Sequence, residues 1–256
     1  MRPLLALGLH LARRGILAGA AMAISAATVL FVIVVAIVLG RRGPHAPVHD
    51  VPLLASSALA WGGGVLHAFA TSAHALRNDR KDGVRDLLFT RTTSLRGYLV
   101  ARVGGLAAML ALVVGGGTLL CGIVSALAAA RLGAVPKTMQ ATFAALVFAV
   151  AFAAVLAPVA FAALGARSRV GGYFFLAGVI VLPELVATSL ANVLPESVTE
   201  VLAIPSALAA LRGALAPGGF DPLRAIRALV ALAAFAGIAF FLVRRDAVRV
   251  AEEQES

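Results

Sequence analysis

The sequence predicts an all-α integral membrane protein with six transmembrane helices. Three observations lead there: a mean hydropathy of +0.97, six long apolar runs, and arginine concentrated in alternate connections between those runs. A soluble domain cannot bury so large an apolar fraction in one core, whereas about 20 consecutive apolar residues cross a bilayer as a helix. We therefore expect one transmembrane domain over residues 15–250.

The apolar runs cover roughly residues 15–39, 52–76, 99–130, 138–164, 171–190 and 222–243. The first run follows Arg13 and Arg14, as the apolar part of a signal peptide would. It holds about 25 residues, however, against about 7–15 in a secretory signal, so it is expected to stay as the first span.

Positive charge predicts the topology. With both termini in the cytoplasm, 15 of the 22 Lys and Arg residues lie in cytoplasmic segments, including the charged segment 77–98. The short tail of residues 251–256 is then cytoplasmic too. This bias fits the positive-inside rule. It also accounts for the formal charge of +10 without nucleic acid as a partner.

Residues 1–14 predict an amphipathic helix. Arg2, His10 and the Arg13–Arg14 pair share one arc at 100° per residue, and the leucines spread over the other side. Such a helix can lie along the cytoplasmic membrane face. A plain extension of the first span is the alternative.

The segment 191–221 is too apolar for an ordinary loop, yet Pro195, Pro205 and Pro217 divide it into pieces too short to cross. Apolar pieces of about 10–14 residues are typical of re-entrant or interfacial helices. We expect this segment to cap the outer end of the bundle.

Glu184 is an acidic residue inside the fifth apolar run, and Pro183 beside it favours a kink. Two interpretations stay open. An intramembrane carboxylate is a candidate for a substrate path or gate. Alternatively, Glu184 marks a helix break in the outer leaflet, where water reaches it.

His67 and His74 are seven residues apart and share a helix face. A two-histidine metal site is conceivable. Because no Cys, Asp or Glu stands nearby at ligand spacing, we favour hydrogen bonding between helices and expect no metal.

Residues 77–98 carry six of the 22 basic and three of the 12 acidic side chains. Asp82 is an acceptable N-cap for a short helix. Val84, Leu87 and Leu88 then form one apolar face, with Arg85 and Asp86 turned away. This helix could dock into a groove on a soluble partner. A solvated loop that only fixes topology is the alternative.

The stretch "DRKDGVRDLLFTRTTSLRGYLVAR" resembles the first cytoplasmic loop of type-2 ATP-binding-cassette (ABC) exporter permeases. The matching residues are Asp82, Gly83, Val84, Asp86, Leu87, Leu88, Tyr98 and Leu99. Thr92 stands about where the family often has proline. The likeness extends to residues 163–174, to the proline-rich outer segment and to the amphipathic N-terminus.

This resemblance implies a coupling helix that contacts an ATPase subunit through Asp82, Gly83, Val84, Arg85, Asp86, Leu87 and Leu88. It also implies two permeases, as identical copies or paralogues, together with two ATPase subunits in a bacterial inner membrane. The chain itself lacks the P-loop pattern around both of its lysines, Lys81 and Lys137. ATP and Mg²⁺ are therefore expected on the partner subunit, and the chain is expected not to be an enzyme.

Two other functions remain as alternatives. A proton- or ion-coupled carrier could centre on Glu184, although such carriers often have matching broken helices in both halves. An intramembrane protease is less favoured. All five histidines lie within residues 10–74, and neither H-E-x-x-H nor G-x-S-x-G occurs.

Overall fold

The computed structural model describes residues 16–42, 46–73, 75–81, 94–130, 133–165 and 169–252. Every regular element within these residues is helical. Six helices among them are long and apolar enough to cross a membrane, as the sequence predicts. They are span one (Ile16–Arg41), span two (Val48–Ser72), span three (Leu95–Ala130), span four (Val135–Leu164), span five (Val170–Ser189) and span six (Pro222–Arg249).

Proline and cap residues set several ends of the spans. Pro52, Pro136 and Pro222 lie in the first turn of helical segments in spans two, four and six. A missing N–H is harmless there, because the first N–H groups of a helix have no partner within it. Ser94 accepts a hydrogen bond from the Gly97 N–H at 3.1 Å and so caps span three.

Span four is the central helix of the bundle. It packs against spans two, three, five and six. About two-thirds (67%) of its spanning window is buried, against 17% for spans one and five. Phe148, Phe152 and Phe161 on this helix are fully buried among alanines. Lipid tails are as apolar as the side chains, so the hydrophobic effect does not drive helices together in a bilayer. This core therefore depends on dispersion contacts between closely packed surfaces.

Spans one and two approach closely at Gly63. A Cβ built there would overlap the Ser25 hydroxyl and lie 3.0 Å from the Ala21 carbonyl oxygen. Ser25 Oγ donates to that same carbonyl at 2.9 Å, which holds the hydroxyl in place. The interface therefore requires glycine at this position.

Three spans contain a stretch of π-helix, with wider turns than an α-helix. These stretches are Ala60–Gly64 in span two, Ala111–Gly115 in span three and Ala177–Val181 in span five. The third ends just before Pro183, which has no N–H to bond to a preceding carbonyl. Pro183 thus lies where span five changes from π- to α-helix. Span four, by contrast, runs as one α-helix through Pro158.

The bundle has two ends, which we name the loop end and the cap end. At the loop end, the Ala75–Lys81 helix follows span two, and the Leu76 N–H donates to the Gly165 carbonyl beyond span four at 3.2 Å. At the cap end lie the helices Glu196–Leu202 and Ile204–Leu215, which together we call the cap. The cap packs against spans four and six.

As the prolines predict, the segment 191–221 contains helices too short to cross a membrane, of seven and 12 residues. The predicted amphipathic helix of residues 1–14 lies outside the described residues. The same holds for residues 82–93 and for the last residues of the tail, 253–256.

Gly63→Ala should lower the thermal stability of the purified protein, because the added methyl group displaces Ser25 from a packed interface. Overpacking of this kind costs about 1–3 kcal/mol. Gly62→Ala is the matched control, since a Cβ at Gly62 meets nothing within 4 Å. Thermal unfolding in one detergent, followed by circular dichroism, measures both variants. Equal transition temperatures would contradict the close approach of spans one and two.

Candidate functional site

A buried ion pair lies at the loop end, between the Ala75–Lys81 helix and span three. Asp79 Oδ2 accepts from Arg102 Nε at 2.6 Å, and Oδ1 accepts from Arg102 Nη2 at 2.8 Å. The Tyr98 hydroxyl also donates to Oδ2, at 2.6 Å. Tyr98 and Arg102 are four residues apart and so share one face of span three. We call Asp79, Tyr98 and Arg102 the clamp.

The clamp is closed to solvent, with Asp79 3%, Tyr98 5% and Arg102 7% exposed. Removing a charge from water costs several kcal/mol, and only a well-oriented, hydrogen-bonded partner offsets that cost. The bidentate contact provides such a partner. Arg102 Nη1, however, is buried and has no hydrogen-bond partner among the described residues. The pair as a whole therefore adds little net stability, whereas loss of one partner alone should be severe.

The clamp joins the two stretches of chain on either side of residues 82–93. Asp79 lies three residues before the segment 82–93, and Tyr98 lies five residues after it. The Leu76–Gly165 hydrogen bond connects the same region to the end of span four. Residues 82–93 are thus flanked by contacts to span three and to the end of span four.

The predicted coupling residues are outside the part of the chain that the structure describes. They are Asp82, Gly83, Val84, Arg85, Asp86, Leu87 and Leu88. The structure instead places the clamp at the base of their segment.

Glu184 links span five to the cap. Its Oε2 accepts from the Ser206 N–H at 3.1 Å and from the Ser206 hydroxyl at 2.8 Å. Ser206 lies in the first turn of the Ile204–Leu215 helix, where N–H groups have no partner inside the helix. A carboxylate at this end also interacts favourably with the helix dipole. Glu184 therefore caps a helix from outside it, and Pro183 beside it lies in the first turn after the π-helical stretch.

Arg212 holds the cap against the rest of the bundle. Its Nη1 donates to the Leu53 carbonyl at 3.2 Å and to the Ser57 hydroxyl, both in span two. Its guanidinium carbon lies 5.5 Å from the centre of the Phe148 ring in span four, within cation–π range. The cap is thus connected to spans two, four and five by polar side chains.

His67 is buried in span two, and neither ring nitrogen forms a hydrogen bond of normal geometry with the part of the chain that the structure describes. Its polar neighbour is the backbone of Ala18 in span one. The predicted hydrogen bond between helices is therefore not formed by His67 within the described residues. His74 lies outside the described residues. Among those residues, no three His, Cys, Asp or Glu side chains come together as metal ligands would.

Comparison with known proteins gives no match: no protein-family model, curated protein or solved structure is similar to this chain. The resemblance to ABC exporter permeases therefore stays a prediction. It depends on the matching residues of the charged segment and on the shorter similar stretches elsewhere.

Asp79 and Arg102 are not among the predicted site residues. A signal is nonetheless present, because Arg102 lies seven residues into span three, and an ionised side chain in an apolar helix needs a partner. Asp79 is the first acidic residue after span two. That the two meet depends on how the Ala75–Lys81 helix lies against span three, which local pattern does not reveal.

Arg102→Ala should leave the Asp79 carboxylate buried and unpaired. A broken buried pair costs about 3–5 kcal/mol of stability. Removal of both charges in Asp79→Ala/Arg102→Ala should cost less than the sum of the two single changes. Thermal unfolding of the two single variants and the double variant measures this coupling.

Arg96→Ala is the control for the loss of an arginine, since Arg96 is exposed on the same helix. It should change stability by no more than about 0.5 kcal/mol. Strictly additive effects of Asp79→Ala and Arg102→Ala would contradict the clamp.

Proposed function

We propose that this chain is the permease subunit of a type-2 ABC exporter. The observation that carries the proposal is the clamp. Its Asp79–Arg102 ion pair joins the two helices that flank residues 82–93. A segment that receives force from a partner needs a rigid contact with the spans, because a loop without such a contact would move without displacing them. The six spans and the sequence pattern from Asp82 to Leu99 support the same function.

In this mechanism, ATP-driven closure of two partner subunits pushes on a coupling helix at residues 82–88. The clamp passes the displacement to span three, and the Leu76–Gly165 hydrogen bond passes it to span four. Spans two, three and five each contain π-helical turns, at which helices bend. Substrate then crosses between two permeases. ATP and Mg²⁺ are bound by the partner, because neither lysine of this chain stands in a P-loop.

The proposal includes an orientation in the inner membrane of a bacterium. The loop end and both termini face the cytoplasm, where most of the arginines then lie. Residues 1–14 lie along the cytoplasmic face. The two helices of the cap re-enter from the outer surface and cover the outer end of the path.

Cysteine labelling tests this orientation. Gly219→Cys, at the cap end, should react with an impermeant maleimide added to intact cells, whereas Ser168→Cys should react only after the cells are lysed. The native Cys121 is buried and should give little background. The reverse pattern of labelling would invert the topology.

A proton- or ion-coupled carrier is the second candidate. The observation that favours it is a cavity of about 350 Å³ bordered by Glu184, between spans five and six and the cap. Such a carrier would lose transport in Glu184→Gln, because the amide does not titrate. An ABC exporter would keep ATP-driven transport in that variant, since Gln also accepts a hydrogen bond from Ser206. A carrier mechanism, however, assigns no role to the clamp.

Charging the apolar face of the coupling helix should uncouple the complex. Leu88→Glu places a carboxylate in an apolar contact, where an unpaired charge is strongly disfavoured. We expect loss of co-purification with the proposed ATPase subunit, and loss of transport-coupled ATP turnover.

Asp86→Ala, on the opposite face, is the control and should keep both properties. The amount of each variant in the membrane is compared first, so that failure to fold is recognised. Full association and turnover in Leu88→Glu would show that residues 82–88 are not the coupling element and that the charged segment serves only as a topology signal.

A further inference from the structure

A long groove lies on the outer surface of the bundle between spans three and four, and we call it the lateral groove. Its volume is about 520 Å³, and it is lined by side chains from residues 119–130 of span three and 135–146 of span four. Gln140, in this part of span four, donates from Nε2 to the Ala216 carbonyl at 3.2 Å, at the end of the second cap helix. The lateral groove therefore lies in the cap-end half of the bundle.

The two spans touch at the floor of the lateral groove. A Cβ built at Gly122 would lie 2.6 Å from the Thr142 hydroxyl oxygen, so the helices approach closely there. Ala126, four residues further along the same side of span three, adds only a methyl group to the lining. Leu127 and Phe143 line the groove as well and are 70% and 58% exposed. The groove thus opens away from the bundle, between large side chains that point outward.

The lining of the lateral groove is apolar. Thr142 has the one polar side chain among the residues that line it, and its hydroxyl donates to the Thr138 carbonyl at 2.7 Å. Water needs about two to four polar partners, which this lining does not provide. Because the groove lies on helices long and apolar enough to cross a membrane, hydrocarbon surrounds its opening. A hydrocarbon chain is the occupant that this chemistry fits.

The length of the lateral groove matches one leaflet of a bilayer. At about 1.5 Å per residue, 119–130 and 135–146 each rise about 17 Å along their helices. The hydrocarbon of one leaflet is about 15 Å deep, half of the whole core of about 30 Å. A helix of a second copy that crossed the membrane would pack along about twice that length. The dimensions therefore favour a single acyl chain from the cap-end leaflet.

Lys137 supplies a positive charge at the surface end of the lateral groove. It is exposed and lies in the first turn of span four, two residues after Val135, which lines the groove. No acidic residue occurs in the sequence between Asp86 and Glu184, so spans three and four carry no carboxylate to neutralise this ammonium. A lysine close to a membrane surface favours an anionic over a neutral lipid by about fivefold.

We propose that the lateral groove binds one acyl chain of an anionic phospholipid, whose phosphate lies beside Lys137. The hydrophobic effect does not select this chain, because it is in hydrocarbon whether bound or free. Dispersion contacts with the lining and the charge of Lys137 select it instead. The site goes beyond the proposed exporter function and does not depend on it, since all its residues belong to spans three and four.

Headgroup charge tests the role of Lys137. The full chain, purified free of lipid in detergent, is titrated with dipalmitoyl phosphatidylglycerol or dipalmitoyl phosphatidylcholine, and native mass spectrometry counts the bound lipids. We expect one saturable molecule of phosphatidylglycerol per chain, bound about fivefold more tightly than phosphatidylcholine. Lys137→Gln should reduce this preference below twofold, whereas Lys137→Arg, which retains the charge, should keep it.

Filling the lateral groove tests the position of the acyl chain. Ala126→Phe should weaken phosphatidylglycerol binding at least tenfold, because the ring takes the place of the chain. Ala130→Phe, at an exposed position of the same lining, gives a second filling variant that does not disturb the buried core. Ala234→Phe is the matched control, since Ala234 is exposed on span six and does not line the groove. Its effect should stay below twofold, and thermal transitions show that each variant is folded.

Several results would overturn the proposal. Binding that never saturates, or equal affinity for the two lipids, would mean that the protein is only surrounded by lipid without a site. Equal effects of the filling variants and Ala234→Phe would place the lipid elsewhere. A dimer that forms without lipid and is lost in Ala126→Phe would assign the groove to a second copy. Since the titration uses the isolated chain, each of these results leaves the proposed association with an ATPase to its own test.

Discussion

The hydrocarbon of a bilayer has no hydrogen-bonding groups, and the hydrophobic effect does not drive helices together within it. Because hydrocarbon cannot bond to polar side chains, the hydroxyl groups of the bundle bond to the backbone. Ser25, Ser72 and Ser125 each donate to the carbonyl four residues earlier in their own helix. Side chains bonded in this way leave the contacts between spans to close packing around span four. Strong polar links between elements are found instead at the two ends.

The two ends use different interactions, and their energetics differ. At the loop end, two opposite charges are buried together, so that separating Asp79 from Arg102 would leave each uncompensated. At the cap end, Glu184 bonds to a backbone N–H and a hydroxyl, and such bonds contribute about 1–3 kcal/mol each. The two ends therefore respond differently to a single substitution. Removal of one charge at the loop end leaves the other buried and unpaired, whereas the Ser206 bonds require only an acceptor oxygen at position 184.

The sequence predicts the spans well because hydropathy is a property of each run by itself. Its errors at the boundaries have local causes. Span two begins at Val48, four residues before the apolar run. His49 and Asp50 lower the hydropathy at this point, although they belong to a 3-10 turn that leads into the helix. Span three begins at Leu95 because Ser94 caps it ahead of the charged residues. Both boundaries depend on hydrogen bonding and not on hydropathy.

The clamp and the Glu184 contact could not be predicted in the same way, since each joins residues that are distant along the chain. Glu184 and Ser206 are 22 residues apart and belong to different helices. Pro205 indicates where the second helix begins, and hence that the Ser206 N–H lacks an intrahelical partner. Nothing in the local pattern, however, names Glu184 as the acceptor. A three-dimensional arrangement is needed to choose it.

That arrangement also bears on the two interpretations of Glu184, as a structural carboxylate or as a site residue. They are compatible, because a carboxylate has two oxygens and the cap uses only Oε2. The link between span five and the Ile204–Leu215 helix therefore leaves Oε1 available for a second role. Neutralising the carboxylate would weaken that link less than removing the side chain, since an amide oxygen at this position would still accept from Ser206.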